Sequence, residues 1–374
     1  MSVTTERPGN FSVFDHQCMA EAVRLARLGL WTTDPNPRVG CVIAVGETVV
    51  GRGWHRAAGE PHAEVLALRE AGARAAGATA YVTLEPCSHT GRTPPCVEGL
   101  VEAGVAEVVA AMTDPDPRVS GRGLARLRAA GIGVRSGLMA DAARELNIGF
   151  VSRHERGRPW LRLKMAVSLD GLTAGPDGRS QWITGPAARA DGQRWRARAS
   201  AIMTGIGTVL ADDPGLDVRV DNVERQPLRI ILDSQARLPQ NARLLRHGGE
   251  VQVGTTRPAP WQHERVVWRR LPAGRDGRVQ MGALMAWLAE LELNEVHVEA
   301  GPTLAGALTA AGLVDELLVY QAPVLMGKGS PMMTLPGMEK FDQRLHLLTI
   351  DQRRLGEDLR LRLRLPPRPD VYRG

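Results

Sequence analysis

The chain has 374 residues, a formal net charge of +6, a pI near 9.6 and only four cysteines. So few cysteines in a chain this long exclude a disulfide framework and indicate a reducing compartment, and no stretch approaches membrane-span length. The first residues, Met1 to Arg7, lack the apolar run of a secretion signal, so a cytoplasmic protein is expected. The basic excess invites a nucleic-acid partner, yet its 47 Lys and Arg are interleaved with 41 Asp and Glu, and aromatics make up only 4 %. Single-strand binders need stacking platforms that such a chain does not supply, so neither nucleic acid nor membrane is expected as a partner. Length favours two domains, each able to bury its own core.

In chain order, Pro35-Asn36-Pro37-Arg38-Val39-Gly40 reads as a turn leading into a strand over 41–45. That places Asn36 at a strand entrance, as a ligand-facing amide or as a turn residue alone. His62-Ala63-Glu64 follows, then Pro86-Cys87 and Cys96. One imidazole and two thiolates hold Zn²⁺ and leave its fourth position open for water. Glu64, two residues from the imidazole, can move protons there without binding the metal. The H-x-E…P-C…C pattern belongs to zinc nucleobase deaminases, although their usual C-x-x-C is here widened to eight intervening residues. Pro61 and Pro86 each precede a ligand and suit the first turn of a helix, where free N–H groups favour a thiolate. Ala67, Leu68, Leu100 and Val101 read as apolar helix positions behind the metal. The competing reading is a closed structural zinc site with His89 as fourth ligand; the neighbouring Glu64 weighs against it.

From Ser152 to Pro159 the chain turns polar and basic, which reads as a linker or boundary. Beyond it, 160–171 reads as a strand ending in a turn, 228–234 as a second strand, and 295–299 as a third that runs through Gly301 into a helix. Strands alternating with helices imply an α/β sheet with functional groups at strand ends. The strand–Gly–helix step is a favoured phosphate site. Gly205-Ile206-Gly207 begins like a dinucleotide fingerprint but lacks its third glycine, so a tight loop without cofactor is equally open. Trp182 reads as core filler or as a cofactor contact, and Asp212-Asp213-Pro214 as a turn.

The run Pro86-Cys87-Ser88-His89-Thr90-Gly91-Arg92-Thr93-Pro94-Pro95-Cys96, with His62-Ala63-Glu64 and the 35–40 turn, resembles the bifunctional deaminase–reductases of riboflavin biosynthesis. The stretches 163–171 and 180–184, Gly207-Thr208-Val209 and Asp212-Asp213-Pro214 are similar to the reductase half of that family. The resemblance spans nearly the whole chain and is weakest over 236–290. It implies an α/β protein: a cytidine-deaminase-like three-layer α/β/α domain over 1–155, then a dihydrofolate-reductase-like α/β domain over 156–374. The cofactors implied are Zn²⁺ in the first domain and NADPH in the second.

The implied reactions are hydrolytic deamination of 2,5-diamino-6-ribosylamino-4(3H)-pyrimidinone 5′-phosphate and reduction of its ribosyl side chain to ribityl. By the same resemblance His62, Cys87 and Cys96 hold zinc, Glu64 is the catalytic proton carrier, and Asn36, His89 and Arg92 face the substrate. In the second domain the resemblance puts Ser180, Arg196, Leu216, Arg219 and Glu299 on the substrate. It puts Ala166, Trp182, Thr208, Asp212, Ser234 and the run Gly301, Pro302, Thr303, Leu304, Ala305, Gly306 and Ala307 on NADPH. Arg196 and Arg219 have the fork geometry to clamp a ribose phosphate. Hydride transfer depends above all on positioning, so no indispensable general base is expected there. The expected partner is a small phosphorylated pyrimidine, and the expected assembly a homo-oligomer. The alternative is a tRNA or nucleoside deaminase with a non-reductase accessory domain.

Overall fold

The computed structural model describes residues 10–88, 95–221, 223–246, 248–336 and 340–366. The chain divides into two compact units, Met1–Gly157 and Arg158–Gly374. The polar stretch after Ser152 is not a loop. It continues the helix Ile148–Arg156, which stops at Gly157 in the left-handed conformation (φ 67°), and Ser152 itself is buried.

The first unit is built on strands β1 (Gly40–Val45), β2 (Thr48–Trp54), β3 (Thr79–Val82), β4 (Glu107–Ala110) and β5 (Gly133–Ser136). They form one sheet in the order β2-β1-β3-β4-β5, with β1 antiparallel to both neighbours and β3, β4 and β5 parallel. Its helices are α1 (Val13–Ala26), α2 (Ala63–Ala71), α3 (Cys96–Glu102), α4 (Arg122–Ala129), α5 (Ala140–Leu146) and α6 (Ile148–Arg156). Alternation along β1 sorts them into layers. Cys41 and Ile43 pack with residues of α2, α3 and α4, whereas Val42 and Ala44 pack with those of α1 and α6. This is the expected three-layer α/β/α arrangement. Two glycines set how closely α2 lies on the sheet: a Cβ at Gly51 or Gly53 would meet the carbonyl oxygens of Ala67 or Ala63 at 2.2 and 2.1 Å. That close approach fixes the N-terminal end of α2, where His62 and Glu64 sit.

The second unit holds β6 (Trp160–Val167), β7 (Leu172–Ala174), β8 (Ala201–Gly205), β9 (Leu228–Leu232), β10 (Val251–Thr255), β11 (Val266–Arg270), β12 (Glu295–Glu299) and β13 (Glu316–Gln321). Strands β14 (Ser330–Pro331), β15 (Leu348–Leu355) and β16 (Asp358–Arg364) follow, and the helices are α7 (Pro186–Arg198), α8 (Ile206–Asp212), α9 (Met281–Glu290) and α10 (Pro302–Ala310). Nine strands form one sheet, β11-β10-β9-β8-β12-β6-β13-β16-β15; β11 through β13 are parallel and the last two add an antiparallel hairpin. Central strands buried on both faces read as apolar runs, and Ile230-Ile231-Leu232 on β9 supplies side chains to the clusters on both faces.

One ionic cluster interrupts this core. The fully buried Arg162 of β6 bonds Glu295 of β12 at 2.8 Å and Glu316 of β13 at 2.6 Å, and it lies 4.4 Å from the centroid of Trp195. Among the described residues no helix is long and apolar enough to cross a membrane.

Candidate active sites

In the first unit, His62 is the N-cap of α2 and Glu64 lies in its first turn, almost fully buried. Cys96 opens α3 after Pro95. Cys87, by contrast, follows Pro86 in chain without regular secondary structure rather than at a helix start, which corrects the expectation from Pro86. What holds it there is Glu85, which the sequence reading passed over. Its buried carboxylate accepts the N–H groups of Asp114, Gly121, Gly123 and Leu124 at 2.8–3.2 Å, tying the chain just before Cys87 to the start of α4. A charged residue directly before Pro-Cys was the available signal.

The donor atoms of His62, Cys87 and Cys96 all lie within 4.8 Å of one another. His62 Nδ1 is 3.1 Å from Cys96 Sγ and 3.6 Å from Cys87 Sγ. Donors on a tetrahedral zinc stand roughly 3.5 Å apart, so the set fits that ion. The backbone N–H of Cys96 donates to Cys87 Sγ at 3.3 Å. Hydrogen bonds from the Cys96 thiol and from His62 bring the Cys87 pKa down to about 4, while Cys96, bonded to Cys87 and buried, is pushed up. Burial, reinforced by the Cys87 charge, raises the Glu64 pKa, and its carboxyl accepts from Cys96.

Asn36 is held by a residue that the sequence reading missed. Its Nδ2 donates to His55 Nε2 at 3.0 Å, and His55 Nδ1 donates to the Pro61 carbonyl at 3.2 Å. Burial lowers the His55 pKa, so the ring is neutral with its proton on Nδ1. That tautomer leaves Nε2 as the acceptor and sets the Asn36 amide with its oxygen free of this bond. His55 also packs edge-on against His62, ring centroids 5.3 Å apart. His89 and Arg92 lie outside the described residues.

The second unit contains a cavity of about 1560 Å³ at the C-terminal ends of its parallel strands. Ala166, Ser180, Trp182, Arg196, Thr208, Asp212, Leu216, Arg219, Ser234, Glu299, Gly301, Pro302, Thr303, Leu304 and Ala307 all line it. Ala305 and Gly306 do not: Ala305 belongs to the core, and a Cβ at Gly306 would strike the Thr334 carbonyl oxygen at 1.6 Å. Their role is packing of α10. Gly205-Ile206-Gly207 is the step from β8 into α8 rather than a free loop. A Cβ on Gly207 or Gly301 meets no atom within 4 Å, so open backbone faces the cavity at both strand–helix steps, a surface suited to a phosphate-bearing cofactor. Trp182 is no core residue; it is 68 % exposed, with the Arg189 guanidinium 4.6 Å from its ring centroid.

Arg196 is already engaged. Its Nε and Nη2 donate to the two oxygens of Glu299 at 2.6 and 2.8 Å, and Nη1 donates to the Asp217 carbonyl at 2.9 Å. Burial works to raise the Glu299 pKa, but Arg196, Lys164 and His297 hold the carboxyl well below its usual range. Arg196 is thus paired with Glu299 on the cavity wall, while Arg219, half-exposed, is paired with Asp217 at 2.6 Å. Ser180 donates to Asp212 at 3.4 Å. Lys164 and Tyr320, also missed, complete the wall beside Glu299; Lys164 Nζ stands 5.9 Å from the Tyr320 ring centroid.

A His–Cys–Cys cluster beside a buried glutamate, on a three-layer sheet, defines a zinc-dependent deaminase of the cytidine type. It is followed in the same chain by a parallel-sheet unit with a cavity of cofactor size. Residues 12–112 match the cytidine and deoxycytidylate deaminase zinc-binding region, and residues 159–361 match the RibD C-terminal domain. The riboflavin biosynthesis protein RibD of Escherichia coli is 49 % identical over 362 residues, covering 93 % of this chain and 99 % of that one; its Haemophilus influenzae counterpart is 43 % identical, covering 94 % and 97 %.

Among solved structures, Acinetobacter baumannii RibD (form 1) superposes with a TM-score of 0.88 at 44 % identity, over 95 % of this chain and 99 % of that one. A diaminohydroxyphosphoribosylaminopyrimidine deaminase/5-amino-6-(5-phosphoribosylamino)uracil reductase from Thermotoga maritima does so at 0.86 and 29 % identity, over 94 % and 99 %. The chain belongs to the RibD family, the bifunctional deaminase–reductases of riboflavin biosynthesis. It is accordingly a zinc aminohydrolase and an NADPH-dependent oxidoreductase, and the tRNA or nucleoside deaminase alternative is not favoured.

Proposed function

We propose that the first unit deaminates 2,5-diamino-6-ribosylamino-4(3H)-pyrimidinone 5′-phosphate and that the second reduces the ribosyl side chain of its product to ribityl. The observation that carries the first step is the convergence of His62, Cys87 and Cys96 around the buried Glu64. Those three residues would hold zinc, which when bound would supply the lowering of a water pKa toward neutrality. Glu64 takes up the proton released as water adds to the amine-bearing ring carbon. It hands that proton to the ring nitrogen, then takes the remaining proton of the added hydroxyl and gives it to the amine, which leaves as ammonia. Asn36, fixed by His55, offers its amide oxygen to the pyrimidine edge, and His89 and Arg92 are assigned to the substrate and its phosphate.

In the second unit the cavity would hold NADPH, which when bound would supply the hydride for C1′ of the ribosyl group. Glu299, kept ionised by Arg196, presents an acceptor on the cavity wall and Lys164 a donor beside it. Between them they orient the ribosylamino end. Ser180, Leu216 and Arg219 complete the substrate side. Ala166, Trp182, Thr208, Asp212, Ser234, Gly301, Pro302, Thr303, Leu304 and Ala307 serve the cofactor. The boundary between activities falls near residues 155–157. A homo-oligomer working in the cytoplasm is the assembly we infer, supported by the low cysteine content and by the exposed edge strand β15; light scattering tests it. The test of function is a zinc-loaded assay on the diaminopyrimidinone phosphate that follows ammonia release and NADPH oxidation separately. Ammonia followed by NADPH oxidation supports the reading; ammonia alone removes the reductase half.

A further inference from the structure

The middle strands of the second unit carry two unlike faces. Leu161, Leu163, Val296 and Val298 join the apolar core on one side of the sheet. Alternation sends the residues between them to the other side: Arg162 and Lys164 of β6, then Glu295, His297 and Glu299 of β12. Helix α7 covers this polar face, for Trp195 lies 4.4 Å from Arg162, Arg198 bonds Glu295 at 2.8 Å and Arg196 bonds Glu299 at 2.6 Å. Arg162 also bonds Glu316 of β13, and Lys164 is drawn to Glu299. Each charged group here meets an opposite charge, which leaves the role of His297 open.

His297 stands between the closed Arg162–Glu295–Glu316 cluster and the cavity wall formed by Glu299, Lys164 and Arg196. Its strand neighbours in register are Arg162 on β6 and Ile202 on β8. The ring is fully buried, and Nε2 lies 3.3 Å from Glu299 Oε1. Neither ring nitrogen has an aligned hydrogen-bond partner. A buried polar group in that state calls for a reason, and hydrogen bonds of a working site are often long before the substrate tightens them. Burial lowers the His297 pKa against the pull of Glu299, helped by Arg162 and Arg196, so the ring is neutral. With its proton on Nε2 it points an N–H at Glu299, and the atom left over is the bare acceptor Nδ1. The other tautomer would set a lone pair against the carboxylate and bury an unpaired N–H.

We propose that His297 is a positioning residue of the reductase, whose Nε2–H donates to Oε1 of Glu299 from behind the cavity wall and fixes the carboxylate that faces the substrate. This rests on the reductase reading of the cavity. The other groups facing Glu299 are Arg196 from α7 and Lys164 from β6; the Tyr320 hydroxyl of β13 is committed to Asp191 at 2.7 Å, and β8 has no titratable residue. Arg196 ties the carboxylate to the covering helix. His297, two residues away on the same strand, ties it to the sheet and adds no charge.

The test compares His297→Gln, His297→Asn and His297→Leu in NADPH oxidation on pre-deaminated substrate, with NADPH affinity and melting temperature measured on each. Glutamine carries an amide N–H to about where Nε2 lies; asparagine stops short of it, and leucine has no donor. The expected result is kcat within about 3-fold of wild type for His297→Gln and roughly 10-fold lower for the other two, with NADPH affinity within about 3-fold throughout. A fall that is equal in all three, or that follows melting temperature rather than donor reach, overturns the assignment and leaves His297 as packing. The wild-type protein gives a second readout that needs no active variant: ¹⁵N spectra should show a neutral Nε2–H ring between about pH 5 and 8. With nine histidines in the chain, that signal is assigned by its loss in whichever variant folds. An imidazolium or an Nδ1–H ring overturns the assignment. Wild-type protein that oxidises no NADPH on this substrate overturns the reductase reading, and this role with it.

Discussion

Replacing Arg196 with Ala separates two roles for this residue, because the structure gives it a definite partner. Arg196 spends Nε and Nη2 on Glu299 and Nη1 on the Asp217 carbonyl, and the pair is mostly enclosed, with side chains 12 % and 18 % exposed. Breaking an enclosed pair by removing one partner costs about 3–5 kcal/mol; the remaining exposure and the neighbouring Lys164 favour the lower value. That cost is one of folding stability and should appear as a lower urea midpoint; reductase kcat/KM should fall separately, by about tenfold or more, because Glu299 loses the partner that keeps it ionised and in place. The pH profile carries the sharper signature. Arg196 is the largest influence holding the Glu299 pKa down against burial, so without it that pKa rises. If ionised Glu299 is required, activity is lost as pH falls through that pKa, and the acid limb moves to higher pH in the variant. The assay is NADPH oxidation on pre-deaminated substrate across pH 4–8 (roughly), with ammonia release from the diamino substrate as control. A raised KM with an unmoved acid limb would refute the reasoning and return Arg196 to the substrate phosphate.

Glu64→Gln should keep zinc, measured by metal analysis, and lower ammonia release by at least about 10²-fold while reduction of pre-deaminated substrate continues; joint loss of both activities would contradict independent sites. His55→Phe preserves ring packing on His62 but removes the acceptor that fixes Asn36, so the deaminase KM should rise about tenfold with zinc content unchanged; an unaltered KM would take His55 out of substrate positioning. Burial works to raise the Glu316 pKa, but Arg162 and Arg362 lower it from 4.5 to about 2. Its contribution to stability is therefore present above pH 4.5 and lost as pH falls toward 2, about 3 kcal/mol at most. Urea midpoints measured against pH should show that loss in the wild type and not in Glu316→Gln, and equal slopes in both would contradict it.

Much of this protein is written in local pattern. The H-x-E and Pro-Cys elements pointed to His62, Cys87 and Cys96, which the fold brings within 4.8 Å of one another, because metal chemistry needs those side chains whatever surrounds them. The turn at 35–40 followed by the apolar run Cys41-Val42-Ile43-Ala44 assigned a strand, and Gly301-Pro302 marked a helix start, because backbone geometry converts such local choices directly into structure. Pro86 misled because proline is equally at home in irregular chain, and Glu85 lent that chain its anchor from the 114–124 segment. The polar run from Ser152 holds the point where the chain divides, although its first residues finish a helix that buries one face and keeps a charged one outside.

What only the tertiary structure decided is which side chains meet across the sequence. His55 and Asn36 stand 19 residues apart, Arg196 and Glu299 103 apart, and no periodicity links either pair. Their meeting follows from sheet order: β12 lies between β8 and β6, and α7 brings Arg196 to the end of β12. That order sets which charges neutralise one another, so Arg196 is paired with Glu299. Residue type fixes what a group can do; strand order and burial fix what it is left to do.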